Sequence, residues 1–443
     1  MAEYLSPGVY VEEVAAAVQA IAGVGTSTAG FIGVFGGEVE VLRSNPTYDP
    51  TAQRPEAPAV AERPAPRARA GAGRAEETTA GGPAAAPAEG DAGSSGSGQQ
   101  PFLSEKKAVA AAGEAQLCAN FTEFKKYFGD FSTSAGQSKL AHAVYGFFNN
   151  GGRRCFVTRV ADDASVKGAL EAFEAIDEIA IVAVPGSVDA AVRGFVVDHC
   201  DKMGDRFAIL DSPEDAPPTD AMLPPPSKNA AFYYPWIAVF DPASKLQNPT
   251  GDGRKFVPPS GHIAGIYARV DSERGVHKAP ANEVVRGALD VKVAISKNHQ
   301  AGLNPKGINC IRDMNGSLRV WGARTDGGDA NGEWKYINVR RLFLYLRESI
   351  DEGTQWTVFE PNDQALWAKI TRNVTAFLTA VWRAGALFGS TPEEAFYVKC
   401  DAETNPFEER ELGRVITEIG VAIVRPAEFV IFRVSQWAGN EPK

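Results

Sequence analysis

From Arg154 onward, short and almost continuously apolar runs alternate with longer segments of helical periodicity, and this alternation restricts the fold more than any other feature. CFVTRV, IAIVAVPG, RFAILDSP and AFYYPWIAVFDP read as strands; SVKGALEAFEAI and VDAAVRGFVVDHCDKM repeat apolar side chains three and four residues apart and read as helices. Strands that are apolar on both faces need cover on both faces, and strands joined through helices of this length run parallel. The expectation is an α/β unit built on a mostly parallel sheet. Upstream, GTSTAGFIGVFGG reads as a further strand, and AVAAAGEAQLCANFTEFKKYFGDF as a strand or loop entering a short helix.

The last third predicts a second α/β unit. Leu366, Trp367, Ile370, Val374, Phe377, Leu378, Val381 and Trp382 recur at helical spacing after an N-cap at Asn362 or Asp363, and the pattern stops at Gly385. Before it, VRRLFLYLRESIDEG puts Val339, Leu342, Phe343, Leu346 and Ile350 on one side of a helix ending at Gly353. WTVFEP between them reads as a strand, and PPSGHIAG as a rigid turn entering a strand.

The sharpest compositional boundary encloses residues 51–100, where more than half the residues are Ala, Gly or Pro, no aromatic occurs, and Val60 is the one branched aliphatic. Such a stretch buries too little apolar surface to offset its conformational entropy, so the expectation is a disordered insertion, 45–104 with its flanks. Its first part is basic (Arg54, Arg63, Arg67, Arg69, Arg74) and its end rich in Gly and Ser; a solvated tether and a docking segment are both open readings. Because loop closure costs rise slowly with length, its flanks belong to one domain.

The formal net charge of -10 argues against nucleic acid as the main partner, since phosphate binding requires clustered Lys and Arg. Cys118, Cys155, Cys200, Cys310 and Cys400 are scattered and form no C-x-x-C pair, which suggests neither a disulfide framework nor a zinc site and fits a reducing cytoplasm. MAEYLSPGVYVEEV has no basic segment followed by an apolar run, and no run of about 18 apolar residues appears; neither Sec export nor membrane insertion is expected.

No constellation for catalysis emerges. Asp198, His199 and Cys200 are helix neighbours that point about 100° apart, whereas a relay needs side chains converging on one atom. His142, His199, His262, His277 and His299 show no H-x-x-x-H pairing, and no phosphate-binding G-x-x-x-x-G-K-[ST] loop exists. Glu12 with Glu13, and Glu408 with Glu409, read as solvated or interface charges. No enzyme activity, cofactor or metal is expected.

Long ordered blocks then carry a resemblance: YLSPGVYVEEV with GVGTSTAGFIG, LAHAVYGFFNNGGRRCFVTRV, VPPSGHIAGIYARVDSERGVHKAPANE, GLNPKGINCIRDMNGSLRVWGART, WKYINVRRLFLYLRESI, WTVFEPNDQALW, GALFGSTPEEAFYVKCD and IGVAIVRPAEFVIFR. Nearly everything outside the insertion resembles the tail sheath proteins of contractile phages and related contractile injection systems. The insertion itself, and Ile423 where a proline is expected, depart from that pattern. The resemblance implies a homo-oligomeric sleeve of stacked hexameric rings around an inner tube, with baseplate and terminator or cap proteins as further partners. It further implies that contraction from an extended, loaded state drives the tube, without nucleotide. It also implies a linking arm at 1–24, an outer domain at 25–280, an inner, tube-facing domain at 281–420 and a C-terminal strand arm at 421–443. Tube attachment is expected on a helix near Pro406 to Ile419 through Glu408, Glu409, Arg410, Glu411, Arg414 and Glu418. Assembly is expected in the cytoplasm, with a phage tail or an injection particle as the final site. A hydrolase on the α/β domain and a non-contractile shell or tail component are the alternatives.

The arms have their own sequence logic. In AEFVIFRVSQW, Phe429 and Ile431 alternate with Val430, Phe432 and Val434, flanked by Glu428 and Arg433, so both faces of such a strand call for burial. At the other end Val9, Tyr10, Val11, Glu12 and Val14 form a second short strand after Pro7 and Gly8. An uncovered strand of this kind aggregates, and pairing with a neighbouring subunit protects its edge; pairing within the same subunit is the other possibility.

Overall fold

The computed structural model describes residues 20–48, 100–107, 110–219, 223 and 225–433. Residues 51–99 of the insertion, and Val9, Tyr10, Val11, Glu12, Val14 and Val434 of the arms, lie outside them.

In chain order the elements begin with β1 (Ala29–Val34), β2 (Val39–Ser44), β3 (Phe102–Lys107), β4 (Gln116–Cys118), α1 (Phe121–Phe128), α2 (Ala135–Asn149) and β5 (Cys155–Val160). Then come α3 (Val166–Phe173), β6 (Ile181–Ala183), α4 (Ala190–Met203), β7 (Phe207–Asp211), β8 (Ala230–Tyr234), β9 (Ile237–Phe240), α5 (Pro242–Gln247), β10 (Arg254–Val257) and α6 (Ser260–Arg274). The remainder is β11 (Ala288–Val291), α7 (Lys297–Leu303), β12 (Ile308–Met314), β13 (Ser317–Val320), α8 (Ile337–Thr354), α9 (Gln364–Arg383), α10 (Pro392–Ala395), β14 (Phe396–Lys399), α11 (Phe407–Glu411) and β15 (Glu418–Val421).

An eight-stranded sheet in the order β13-β12-β8-β7-β6-β1-β5-β4 organises the molecule. Its six central strands are parallel, and β4 and β13 close the edges antiparallel. Side chains alternate between two cores: Phe31, Ile181, Ala183, Phe207, Ile209 and Tyr233 face α2 and α6, while Ile32, Val182, Ala208, Leu210 and Phe232 face α3 and α4. This is the two-sided burial that the apolar runs require. The sheet continues through β12 and β13, so residues 308–320, expected in the second unit beyond 280, are strands of the first.

Three segments differ from the sequence reading. AFYYPWIAVFDP is two strands: β8 joins the main sheet, and β9 pairs with β10 and β11 in a separate antiparallel sheet. Pro235, which follows a cis peptide bond, offers no N–H to continue the ladder. PPSGHIAG opens helix α6 instead of a turn. A Cβ on Gly261 would lie 2.3 Å from the Ala143 backbone, and one on Gly265 would lie 2.4 Å from the Phe147 carbonyl. These glycines serve the close approach of α2 and α6, not a bend. WTVFEP holds a short 3-10 turn, Gln355–Thr357, followed by Phe359 at φ 68°.

Helix α8 belongs to both halves. Ile337 and Leu344 pack into the core shared with α2 and α6, whereas Leu342 and Leu346 pack against Leu366, Ile370, Val374 and Leu378 of α9. The Asp363 carboxylate caps α9 by accepting from the Leu366 N–H at 2.8 Å. Arg341 of α8 donates to both carboxylate oxygens of Asp271 on α6 (2.6 and 2.9 Å) and to the Thr26 carbonyl (2.9 Å), and Thr26 Oγ1 returns a bond to Asp271 (2.7 Å).

Candidate assembly surfaces

Beyond β15 the chain runs without a strand as far as Arg433. Phe429, Val430, Ile431 and Phe432 are 71%, 67%, 79% and 84% exposed. Four consecutive apolar side chains are thus open to water on both faces, and among the described residues no strand pairs with this stretch. Glu428 behaves differently from its neighbours. It is half-buried and accepts from Arg324 Nε and Nη2 (2.8 and 2.9 Å), Tyr336 OH (2.9 Å) and Asn304 Nδ2 (2.7 Å). Burial raises its pKa, but these donors outweigh burial and hold it below the ordinary glutamate value. The arm expected from 421 therefore starts later: Val421 is part of β15, and the chain is held until Glu428.

A two-stranded sheet lies nearby in sequence. β14 and β15 pair antiparallel from Phe396 with Val421 to Lys399 with Glu418, over a floor of α9 residues. Among the described residues no further strand joins either outer edge, although the chain at Leu387 bridges to Ile423 just beyond β15. Two-stranded sheets are marginal alone, and their open edges accept added strands.

The segment expected as one long attachment helix is shorter. Helix α11 ends at Glu411, a turn follows through Gly413 at φ 70°, and Glu418 already lies in β15. Gly413 in the left-handed region ends the helix. Glu408, Arg410, Glu411, Arg414 and Glu418 are exposed, and Glu409 is partly covered and lies 3.5 Å from Arg414. Phe407, Leu412, Val415 and Ile416 are exposed among these charges, an apolar component that the charge-based reading missed. Buried Asn405 fixes the loop by donating to the Ile416 carbonyl (3.0 Å) and accepting its N–H (2.6 Å). Asn362, from the turn before α9, donates to the Arg414 carbonyl at 2.8 Å. Asn405 carries no sequence signal distinguishing it from a loop residue, and Asn362, one of two N-cap candidates, leaves the cap to Asp363.

The residues tested for catalysis diverge. Asp198 is exposed while His199 and Cys200 are buried, and His199 is pushed down to about 4 by burial and then by Arg206. His262 is pushed down to about 3 by burial and by His142. Among the described residues no group of three or more His, Cys, Asp or Glu could hold a metal ion. A 340 Å³ cavity between the segment leading into β1 and α8 is lined by Thr26, Arg154, Glu178, Asp205, Arg341 and Glu348.

The family description "Phage tail sheath protein central domain" matches residues 160–325, and "Phage tail sheath C-terminal domain" matches residues 329–436. The chain is 26% identical over 241 residues to a putative prophage major tail sheath protein of Pseudomonas aeruginosa, covering 52% of this chain and 58% of that protein. It is 28% identical over 200 residues to the tail sheath protein of Vibrio phage KVP40, covering 44% of this chain and 28% of the relative. The curated relatives are thus matched over part of their length. Among solved structures, the helical sheath of the anti-feeding prophage in its contracted state aligns at TM-score 0.67 and 28% identity, covering 98% of this chain and 99% of that one. The sheath complex of the PVC extracellular contractile injection system in its contracted state shares the fold at TM-score 0.68 and 24% identity, with 99% of both chains covered. The two family descriptions, which together span residues 160–436, and the alignment to the anti-feeding prophage sheath over nearly the whole chain place this chain in the phage tail sheath protein family.

Proposed function

We propose that this chain is the repeating subunit of a contractile sheath. Copies polymerise into a helical sleeve around an inner tube, and passage from an extended to a contracted packing drives the tube forward. The observation that carries this reading is the run Phe429–Phe432, apolar and exposed on both faces, with no strand paired to it among the described residues. Donated to a neighbour, it adds to the open edge of a two-stranded sheet such as β14–β15, and residues 9–14 supply the second donated strand. A subunit bearing a donor segment and a separate acceptor edge makes heterologous contacts, and these generate helices when the rotation does not close.

In this reading Glu408, Glu409, Arg410, Glu411, Arg414 and Glu418, with Phe407 and Leu412, meet the tube, and residues 281–420 face inward with it. The division follows the second unit, except that β11, β12 and β13 stay with the sheets of the outer domain. Baseplate and terminator proteins cap the sleeve. The chain works by assembly alone, without catalysis, cofactor or nucleic acid, and it assembles in the cytoplasm before serving in a phage tail or an injection particle. Negative-stain electron microscopy of the purified full chain tests this: long hollow cylinders are expected. A monodisperse monomer at every salt concentration contradicts it.

A further inference from the structure

Glu428 stands apart from the residues around it. Ala427 and Phe429–Phe432 are exposed, yet the Glu428 carboxylate accepts four hydrogen bonds from three separate places in the body. Asn304 follows α7, Arg324 lies after β13, and Tyr336 is the residue that precedes α8.

Arg324 is positioned independently of the arm. Its side chain is buried, its N–H donates to Asn309 Oδ1 (2.8 Å), and its carbonyl accepts from Asn309 Nδ2 (2.7 Å). Its Nη1 donates to the Asn304 carbonyl (3.2 Å) and to Asp329 (3.1 Å), leaving Nε and Nη2 as a fork that matches one carboxylate.

We infer that Arg324, Tyr336 and Asn304 form a socket that grips Glu428 and makes it the pivot of the C-terminal arm, fixing where the arm leaves the body. This rests on the proposal that residues after Pro426 are donated to a neighbour. A free arm loses conformational entropy when it reaches an acceptor edge, and holding its root in place reduces that loss. A single gripped side chain also differs from a paired strand: the backbone on either side can rotate while the carboxylate stays in its fork. The socket thus keeps the connection between subunits while their bodies reorient.

The test uses the full chain carrying Glu428→Gln, which removes the charge, and Glu428→Asp, which keeps the charge but withdraws it by one methylene. A chain ending at Pro426 is measured beside them. The concentration needed for cylinder formation is compared at a temperature where thermal unfolding shows every variant folded. Both substitutions are expected to raise it by roughly ten-fold or more, the factor equivalent to about 1.4 kcal/mol. They should also speed hydrogen exchange at Val424 to Glu428 in the unassembled subunit. If assembly and exchange match the parent chain in both substitutions while truncation abolishes cylinders, the socket is refuted and the donated arm survives. If the truncated chain itself assembles normally, the arm reading fails and the socket's role with it.

Discussion

Arg341 and Asp271 are both almost fully buried, and their paired hydrogen bonds join α8, α6 and the segment leading into β1. Removing one member of such a pair leaves the other charge without compensation, a loss of about 3–5 kcal/mol. Asp271→Asn should therefore lower the free energy of unfolding by that amount in denaturant titration, and an unchanged midpoint would contradict the joint. Asp326 acts in the opposite sense. It is fully buried, and burial pushes its pKa up to about 8 although Arg193 and the Gly327 backbone pull it down. Since the unfolded carboxyl titrates near its ordinary value, the folded chain binds more protons between roughly pH 4 and pH 8, and stability falls as pH rises through that window. Asp326→Asn removes the penalty, so thermal unfolding at pH 5, 6.5 and 8 should show the variant gaining most at pH 8. Neither buried pair could be read from the sequence, because what makes these residues unusual is partners at |i−j| of 70 and more, while their local neighbours are ordinary.

At the scale of elements, what the sequence revealed depended on whether the cause was local. The two-faced apolar runs at β5, β6 and β7 and the periodic faces of α8 and α9 were legible, because burial on a sheet or a helix leaves a period in the chain. PPSGHIAG was misread because its two prolines suit a turn and the start of a helix equally, and local chemistry cannot show that its glycines admit a neighbouring helix. WTVFEP was misread because β-propensity needs a partner strand, and none lies beside it in the described structure. In residues 407–418 the charges were legible but the shape, which Asn405 and Gly413 impose, was not. β2 and β3 pair along their whole length, and Asn45 closes the open end through the Pro101 and Gln100 carbonyls at 3.1 and 2.8 Å. The insertion leaves and returns at that one point. Replacing residues 51–99 by a short Gly/Ser linker should thus leave thermal stability and cylinder formation unchanged, and loss of cylinders would give the insertion a structural role. Reversing Glu408, Glu409 and Glu411 to Lys should impair assembly on tubes while empty sheath still forms, since rim charges tune register and association rate. Equal co-sedimentation with tubes would remove these charges from the contact.

For the whole molecule, the decisive feature is that α8 contributes to both cores and is tied by Arg341 to α6. In the proposed sleeve a body joined in this way moves as a unit, and a change of length is taken up between subunits, at the proposed arm roots and acceptor edges. The central claim is thus a rigid body linked by pivoting arms, and cryo-electron microscopy of one sheath in its extended and contracted forms tests it most directly. The account predicts that residues 25–48 and 110–421 superpose between the two forms to within about 1 Å, as in association without internal rearrangement. Glu428 should stay in its socket, and the backbone should change direction from Phe429 onward. A contracted form in which α8 and α9 have repacked against the sheet, or in which the arms have left their neighbours, would contradict it.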